Sequence, residues 1–255
     1  MMPAGWTWAV ACRRGVSHER ANVRLQDAFK CFIAPTRSKP LVIVVSDGAG
    51  SASFGGEGAS LICRTLTVRA RRYFSSIDEL PTNELLEGWL NDVRNIIDIV
   101  AARRNLSPRD FAATLILLIS SGLESVVLHV GDGCAVLKDE DTNTWVAPSW
   151  PYHGEYASTT AFVTDEPAPN IRIVRHTKAI SAASVFSDGL ERLALDLKAC
   201  QPFAPFFENM IAPVIGSALM GKDADLSSKL AAFLGSDSVN NRSDDDKTLI
   251  LAVRR

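Results

Sequence analysis

Apolar residues follow two different rhythms along this chain. Short, unbroken apolar and β-branched runs at residues 6–12, 28–34 and 41–46 predict three strands, the last two joined by a turn holding Pro35 and Pro40. Beyond the glycine-rich stretch 48–58 the rhythm lengthens, which predicts a helix from residue 59 to about residue 73. A second helix is predicted after Pro81, where Leu85, Trp89, Val93, Ile96, Ile97 and Val100 recur at three- and four-residue spacing and mark one buried face. Past Pro108 the short rhythm returns. It predicts strands at 114–120, 125–130 and 134–138, with Ser121-Gly122 and Asp132-Gly133 as turns and a polar turn over 139–143. Residues 148–170 carry four prolines and read as irregular. Strands are predicted again at 171–174 and 182–186, helices at 190–197, 206–219 and 226–234, and a closing strand at 248–253.

Helices in blocks, with few strand–helix–strand alternations, predict an α+β fold and exclude a doubly wound parallel sheet. No internal repeat or low-complexity tract interrupts the pattern, and no linker divides it. The expectation is one domain over residues 1–255, a length that buries one substantial core. A net charge of −2 gives no electrostatic ground for a nucleic-acid or anionic-membrane partner. No apolar run reaches the roughly 20 residues that span a bilayer. Arg13 and Arg14 follow the apolar N-terminal stretch, whereas a secretory signal carries its basic residues first. Five scattered cysteines, never spaced as C-x-x-C, and four dispersed histidines read as reduced thiols in a cytoplasmic protein and argue against zinc.

The chemistry is carried by aspartates. Five short motifs occur in order: Gln26-Asp27-Ala28-Phe29, Ser46-Asp47-Gly48-Ala49-Gly50, Gly131-Asp132-Gly133, Ser187-Asp188-Gly189-Leu190 and Asp244-Asp245-Asp246-Lys247-Thr248. Three follow directly on an apolar run, and the last precedes one. A carboxylate at the end of a buried strand is costly to keep dry and unpaired. Several from distant parts of the chain, most of them beside glycine, point to convergence on hard divalent cations. Taken alone, each Asp-Gly pair is equally a turn whose aspartate bonds its own backbone; the ordered set of five is what outweighs that reading.

The order and wording of these motifs resemble the type-2C metal-dependent protein phosphatases, the PPM family, and in particular the bacterial branch whose second motif reads DGAGSA, here residues 47–52. Ser17-His18, Gly154-Glu155-Tyr156 and the terminal Asp-Asp-Asp-Lys-Thr-Leu are similar to that branch too. The resemblance implies a β-sandwich of two mainly antiparallel sheets flanked by helical layers. It also implies a protein serine/threonine phosphatase that uses two Mn²⁺ or Mg²⁺ ions and attacks phosphorus with a hydroxide bridging them. Asp47 would be the shared ligand, with the Gly48 carbonyl facing one metal. Asp188 and Asp245 would complete the first metal's shell, and Asp27 would serve the second. Asp244 or Asp246 can take the place of Asp245 on spacing alone. Asp132 would join Asp188 at a third ion, although a hairpin turn accounts for Asp132-Gly133 without one. The partners implied are a phosphorylated protein and the Ser/Thr kinase that modifies it.

Three positions depart from the wider family. Gln26 replaces a common Glu, Ala49 replaces a His that some members carry, and Asn22 stands where an Arg often grips the substrate phosphate. His18, Arg20 and Arg24 are the candidates to hold that phosphate instead, since arginine suits bidentate phosphate recognition. The irregular stretch 150–167, with Tyr152, His153, Glu155 and Tyr156, is the candidate flap over the site. The departures also motivate a second class of function, a phosphatase-like binding module without turnover. Retention of the clustered carboxylates argues against it. A haloacid-dehalogenase-like enzyme is excluded by the absence of a D-x-D-x nucleophile and of βαβ order.

Overall fold

The computed structural model describes residues 5–152 and 160–255. Its strands form two main sheets. The first is antiparallel and five-stranded: β2 (Asp27–Ile33), β3 (Leu41–Asp47), β4 (Leu115–Ser120), β5 (Ser125–Val130) and β8 (Arg172–His176), in that spatial order. The second is six-stranded, ordered β12 (Gly221–Lys222), β1 (Trp6–Arg13), β13 (Lys247–Arg254), β9 (Ile180–Phe186), β6 (Cys134–Asp139) and β7 (Trp145–Ser149). Among the described residues only the short β12–β1 pairing is parallel. A two-residue pair, β10 (Leu195–Asp196) with β11 (Gln201–Pro202), stands apart. The longer helices are α2 (Gly55–Tyr73), α3 (Asn83–Arg103), α5 (Ala204–Gly216) and α6 (Ala224–Leu234); α1 (Val16–Arg20), α4 (Glu191–Ala194) and α7 (Asp237–Asn240) are single turns or little more. Among the described residues no helix is long and apolar enough to cross a membrane.

Strand parity shows how the layers pack. In β3, Leu41, Ile43 and Val45 join Trp6, Trp8 and Val10 of β1 in the core between the sheets. The alternate residues Val42 and Val44 face the other way, against Ile62 and Leu66 of α2 and Leu90 and Val93 of α3. The six-stranded sheet repeats the scheme. Ile250 and Ala252 point inward, while Leu249 and Leu251 meet Phe207 and Ile211 of α5 and Leu230 of α6. Because both faces of each sheet are covered, the strands read as unbroken apolar runs, without the alternation of a half-solvated sheet.

The predicted elements depart from the observed ones where glycine, proline or short-range polar contacts decide the backbone. Helix α2 starts at Gly55, inside the glycine-rich stretch and four residues before the predicted start at residue 59. A Cβ on Gly58 would lie 2.0 Å from the Phe111 carbonyl oxygen, so close packing overrides the poor helix propensity of glycine. The predicted helix at 190–197 ends at Ala194, because the Asp196 carboxylate accepts from the Lys198 and Ala199 amides and turns the chain into β10 and β11. Strand β7 contains Pro148 and escaped the sequence reading; it is an edge strand, where a missing N–H is tolerated. The Gly131-Asp132-Gly133 turn is not a hairpin, since β5 pairs with β4 and β8 whereas β6 pairs with β7 and β9. It is the corner at which the chain crosses from one sheet to the other.

Leu66 is fully buried between α2 and the five-stranded sheet. Leu66→Ala should lower the unfolding free energy by about 2–5 kcal/mol in urea titrations; a loss below about 1 kcal/mol would mean that this interface collapses around the gap.

Candidate metal centre

All five aspartate motifs lie at strand ends or at the crossing between sheets, and the topology brings most of them to one place. Strands β2 and β3 are antiparallel, so the first residue of one, Asp27, is the Cα partner of the last residue of the other, Asp47. In the second sheet Phe186 pairs with Leu249, which sets the exit of β9, toward Asp188, beside the entry of β13, after Asp245. A cavity of about 320 Å³ at this end is lined by Asp47, Gly48, Asp132, Asp188, Asp245 and His18. Gln26, Ala49 and Thr114 complete much of its wall.

Asp47 is fixed through its backbone. Its amide donates to the Thr114 hydroxyl at 3.1 Å, and its carbonyl accepts from the Thr114 amide at 2.8 Å. Gly48 must lack a side chain, because a Cβ there would stand 2.2 Å from the carbonyl carbon of Gly55 at the start of α2. Asp27 is buried in the wall behind the cavity. Its Oδ2 accepts from the hydroxyls of Ser187 at 2.8 Å and Thr248 at 2.6 Å, and its Oδ1 is buried without a partner. Oδ1 of Asp188 is also buried and unpartnered. Gly189 keeps Asp188 close to the opposite strand, since a Cβ on it would lie 1.9 Å from the Asp246 carbonyl oxygen.

The terminal aspartates divide their tasks. Asp246 is fully buried, and its carboxylate accepts from the Gly15 and Gln26 amides, each at 2.6 Å. Nδ1 of His18 stands 2.9 Å from the same carboxylate. Asp246 therefore ties the N-terminal segment to the start of β13 and has little capacity left for a cation. Asp245 lines the cavity, with Nε2 of His18 4.0 Å away. The carbonyl of Asp244 accepts from the amide and hydroxyl of Ser17. Lys247 is buried as well and donates to the Asp245 and Ser243 carbonyls.

Burial is the largest influence on all three interior carboxyls, and it pushes each pKa upward. Asp27 rises to about 6 despite the hydrogen bonds from Thr248 and Ser187. Asp188 also rises to about 6. Asp47 is held well above the ordinary range, first by burial and then by the neighbouring charges of Asp27 and Asp188. Crowding of like charges in a buried cluster favours the neutral form of each group. Among the described residues no three His, Cys, Asp or Glu side chains are already drawn into metal-holding geometry. The donor set nevertheless fits a hard divalent cation: it is all oxygen, anionic, buried, and includes two orphaned carboxylate oxygens.

The substrate-binding candidates separate. His18 lines the cavity. Arg20 lines a neighbouring groove that shares Asp188 and Asp245 with the cavity. Arg24 is exposed and lines neither. Of the predicted flap, Tyr152 donates its amide to the Gly131 carbonyl at 2.9 Å, whereas His153, Glu155 and Tyr156 lie outside the described residues. Sequence reasoning passed over Thr114, Ser187 and Thr248 as supports. Their signal was present, because Ser187 and Thr248 fall inside two of the aspartate motifs.

A two-sheet fold that gathers motif aspartates from both sheets defines a class, and the sequence comparison agrees. The chain belongs to the protein phosphatase 2C family, whose model spans residues 14–235. Serine/threonine-protein phosphatase 3 of Escherichia coli (strain K12) is 36% identical over 255 residues, covering 97% of this chain and 98% of that protein. The fold is shared with the serine/threonine phosphatase Stp1 from Staphylococcus aureus at TM-score 0.62 and 16% identity, covering 96% of this chain and 94% of that one. It is shared equally with the catalytic domain of the serine/threonine protein phosphatase PstP, solved in complex with two manganese ions, at TM-score 0.62 and 17% identity, covering 98% and 99%.

Two tests follow from this geometry. A carboxyl whose folded pKa exceeds its unfolded value contributes stability that is present below the unfolded value and lost as pH rises through the folded one. For Asp27 and Asp188 that window runs from 3.8 to about 6. In the cation-free protein, stability should therefore fall across this window more steeply in the wild type than in Asp188→Asn; parallel curves from urea titrations would show that Asp188 titrates like an exposed carboxyl. Asp246→Ala should cost about 2–5 kcal/mol, because it leaves the buried Gly15 amide and the part-buried Gln26 amide without acceptors. A loss under about 1 kcal/mol would deny Asp246 its anchoring role.

Proposed function

We propose that this chain is a metal-dependent protein serine/threonine phosphatase whose catalytic centre is the Asp47–Asp188–Asp245 cavity. The observation that carries this reading is the set of interior carboxyls, Asp27, Asp47 and Asp188, whose charges act on one another inside one buried cluster in a protein phosphatase 2C chain. Asp47, Asp188 and Asp245, with the Gly48 carbonyl, would hold a first Mn²⁺ or Mg²⁺ ion. Asp47 and Asp27 would hold a second through the free Oδ1 of Asp27. Asp132 and Asp188 line the same cavity, which supports a further ion between them. Bound there, such cations lower the pKa of water and offset charge on the phosphoryl oxygens.

The chain's own side chains supply placement and proton control. Ser187 and Thr248 hold Asp27 by one oxygen and leave the other buried without a hydrogen-bond partner. Thr114 locks Asp47 at the strand end. Ala49 offers no proton to a leaving alkoxide. His18 is the imidazole that lines the cavity, with its Nδ1 2.9 Å from the Asp246 carboxylate. It is the residue we assign to contact the phosphoryl group, with Arg20 approaching from the adjoining groove. The substrate, a phosphoserine or phosphothreonine protein, is by its chemistry the product of a protein kinase. Five unpaired cysteines suit a reducing compartment such as the cytoplasm.

Asp47→Asn should abolish Mn²⁺-dependent hydrolysis of p-nitrophenyl phosphate, a fall of at least about a thousandfold in kcat, with circular dichroism unchanged. Full activity in that variant, or in the wild type with EDTA, would contradict the assignment. A folded protein with intact metal binding and no turnover on any phosphopeptide would support the binding-module reading instead.

A further inference from the structure

Behind the metal centre, on the far side of Asp27, a larger groove of about 690 Å³ runs along strand β2. Strand β2 is the edge of the five-stranded sheet. The groove is walled on one side by α2, through Cys63 and Arg64, and on the other by β1 and β12, through Trp8 and Lys222. Nothing assigned to the catalytic site uses it, apart from Asp27 at its inner end.

The main chain of β2 presents a regular set of free groups to this groove. The Gly48 amide donates to the Gln26 carbonyl at 3.2 Å, and the Ala34 amide donates to the Pro40 carbonyl at 2.9 Å. Both bonds fall on even-numbered residues of the β2 side. In an antiparallel pair the bonded positions alternate, so the even residues between them also bond to β3. The N–H and C=O groups of Phe29 and Cys31 then point away from β3, toward the groove that these two residues line. Among the described residues no other element donates to them or accepts from them. An edge with free groups of this kind is a template for one more strand.

Three cations flank the groove, against two carboxylates that already have partners. Lys30, Arg64 and Lys222 line the groove and are exposed, and they come from β2, α2 and β12. Lys30 and Lys222 have no ion-pair or hydrogen-bond partner among the described residues. The two carboxylates at the groove are already taken: Glu57 makes two hydrogen bonds to Arg104, and Asp27 is held by Ser187 and Thr248. A lone lysine on an edge strand is an ordinary guard against self-pairing. Cations converging from three separate elements are more than that guard requires.

We propose that this groove is a docking site for an extended acidic segment of a partner protein, which adds as a strand to β2. Its main chain pairs with Phe29 and Cys31, and its carboxylates meet Lys30, Arg64 and Lys222. Apolar side chains on its other face rest against Trp8 and Leu25, which also line the groove. The site is separate from the phosphoryl-binding cavity, so docking does not require a phosphate or a metal. It is also in line with the metal centre, because Asp27 begins the strand that the partner extends.

The probe is a fluorescein-labelled heptapeptide of alternating glutamate and valine, with blocked termini, titrated against the full chain in EDTA. Fluorescence anisotropy should show saturable binding. Amide exchange followed by NMR should show new protection at Phe29 and Cys31. The double charge reversal Lys30→Glu with Lys222→Glu, both at exposed positions, should weaken binding about tenfold or more. N-methylation of alternate peptide amides on the pairing edge should abolish it. No binding at about 1 mM peptide, equal binding of a lysine–valine peptide, or equal binding of the N-methylated peptide would overturn the proposal. Binding that persists at full strength in the charge-reversed variant would overturn it too. Free glutamate competing as well as the heptapeptide would show a small-anion site instead of strand addition. Since every arm is read without metal or turnover, failure here is distinct from failure of the phosphatase assignment.

Discussion

Repulsion among buried carboxylates is the constraint around which this molecule is built. Asp27, Asp47 and Asp188 are pushed upward in pKa first by burial and in addition by neighbouring carboxylates. No arrangement of this kind is favourable in itself. It persists because stiff elements over-determine it: two antiparallel pairings, β2 with β3 and β9 with β13, fix where their terminal residues emerge. The thick apolar layers on both sides of each sheet supply the stability that the site consumes.

The N-terminal segment shows how one interaction closes the site. The Asp246 carboxylate gathers the Gly15 amide, the Gln26 amide and the His18 imidazole. One buried group thus places α1 over the cavity, sets the entry of β2 and leaves its neighbour Asp245 free to face inward. Glycine makes the close approach possible, since Cβ atoms at Gly15 and Gly189 would collide with the backbone of residues 244–246. Helix α1 has no core of its own. It holds its position through this hydrogen-bonded contact, which is why its sequence carries so little apolar signal.

Much of this was legible in the sequence, for physical reasons that differ from element to element. The strands at 41–46, 125–130 and 182–186 announced themselves because both of their faces are buried, and the aspartates beyond them announced the site because acid at the end of such a run needs a reason. Strand β7 was hidden by Pro148, and the short helix α4 was overrun by an apolar pattern that Asp196 cuts off. The Asp132 turn looked like a hairpin because sequence adjacency does not reveal that β5 and β6 belong to different sheets. The division of labour between Asp245 and Asp246 was equally invisible. It depends on which carboxylate the Gly15 and Gln26 amides claim, a contact between residues more than two hundred positions apart.

The central claim is that the interior carboxylates form a cation site. Anomalous diffraction at the manganese edge, from crystals of this chain grown with Mn²⁺, tests it without reference to turnover. The account predicts anomalous peaks bounded by Asp47, Asp188 and Asp245, with a further peak reached by the free Oδ1 of Asp27, and no peak at Asp246. Manganese bound elsewhere on the surface, with no peak near Asp47 and Asp188, would contradict it.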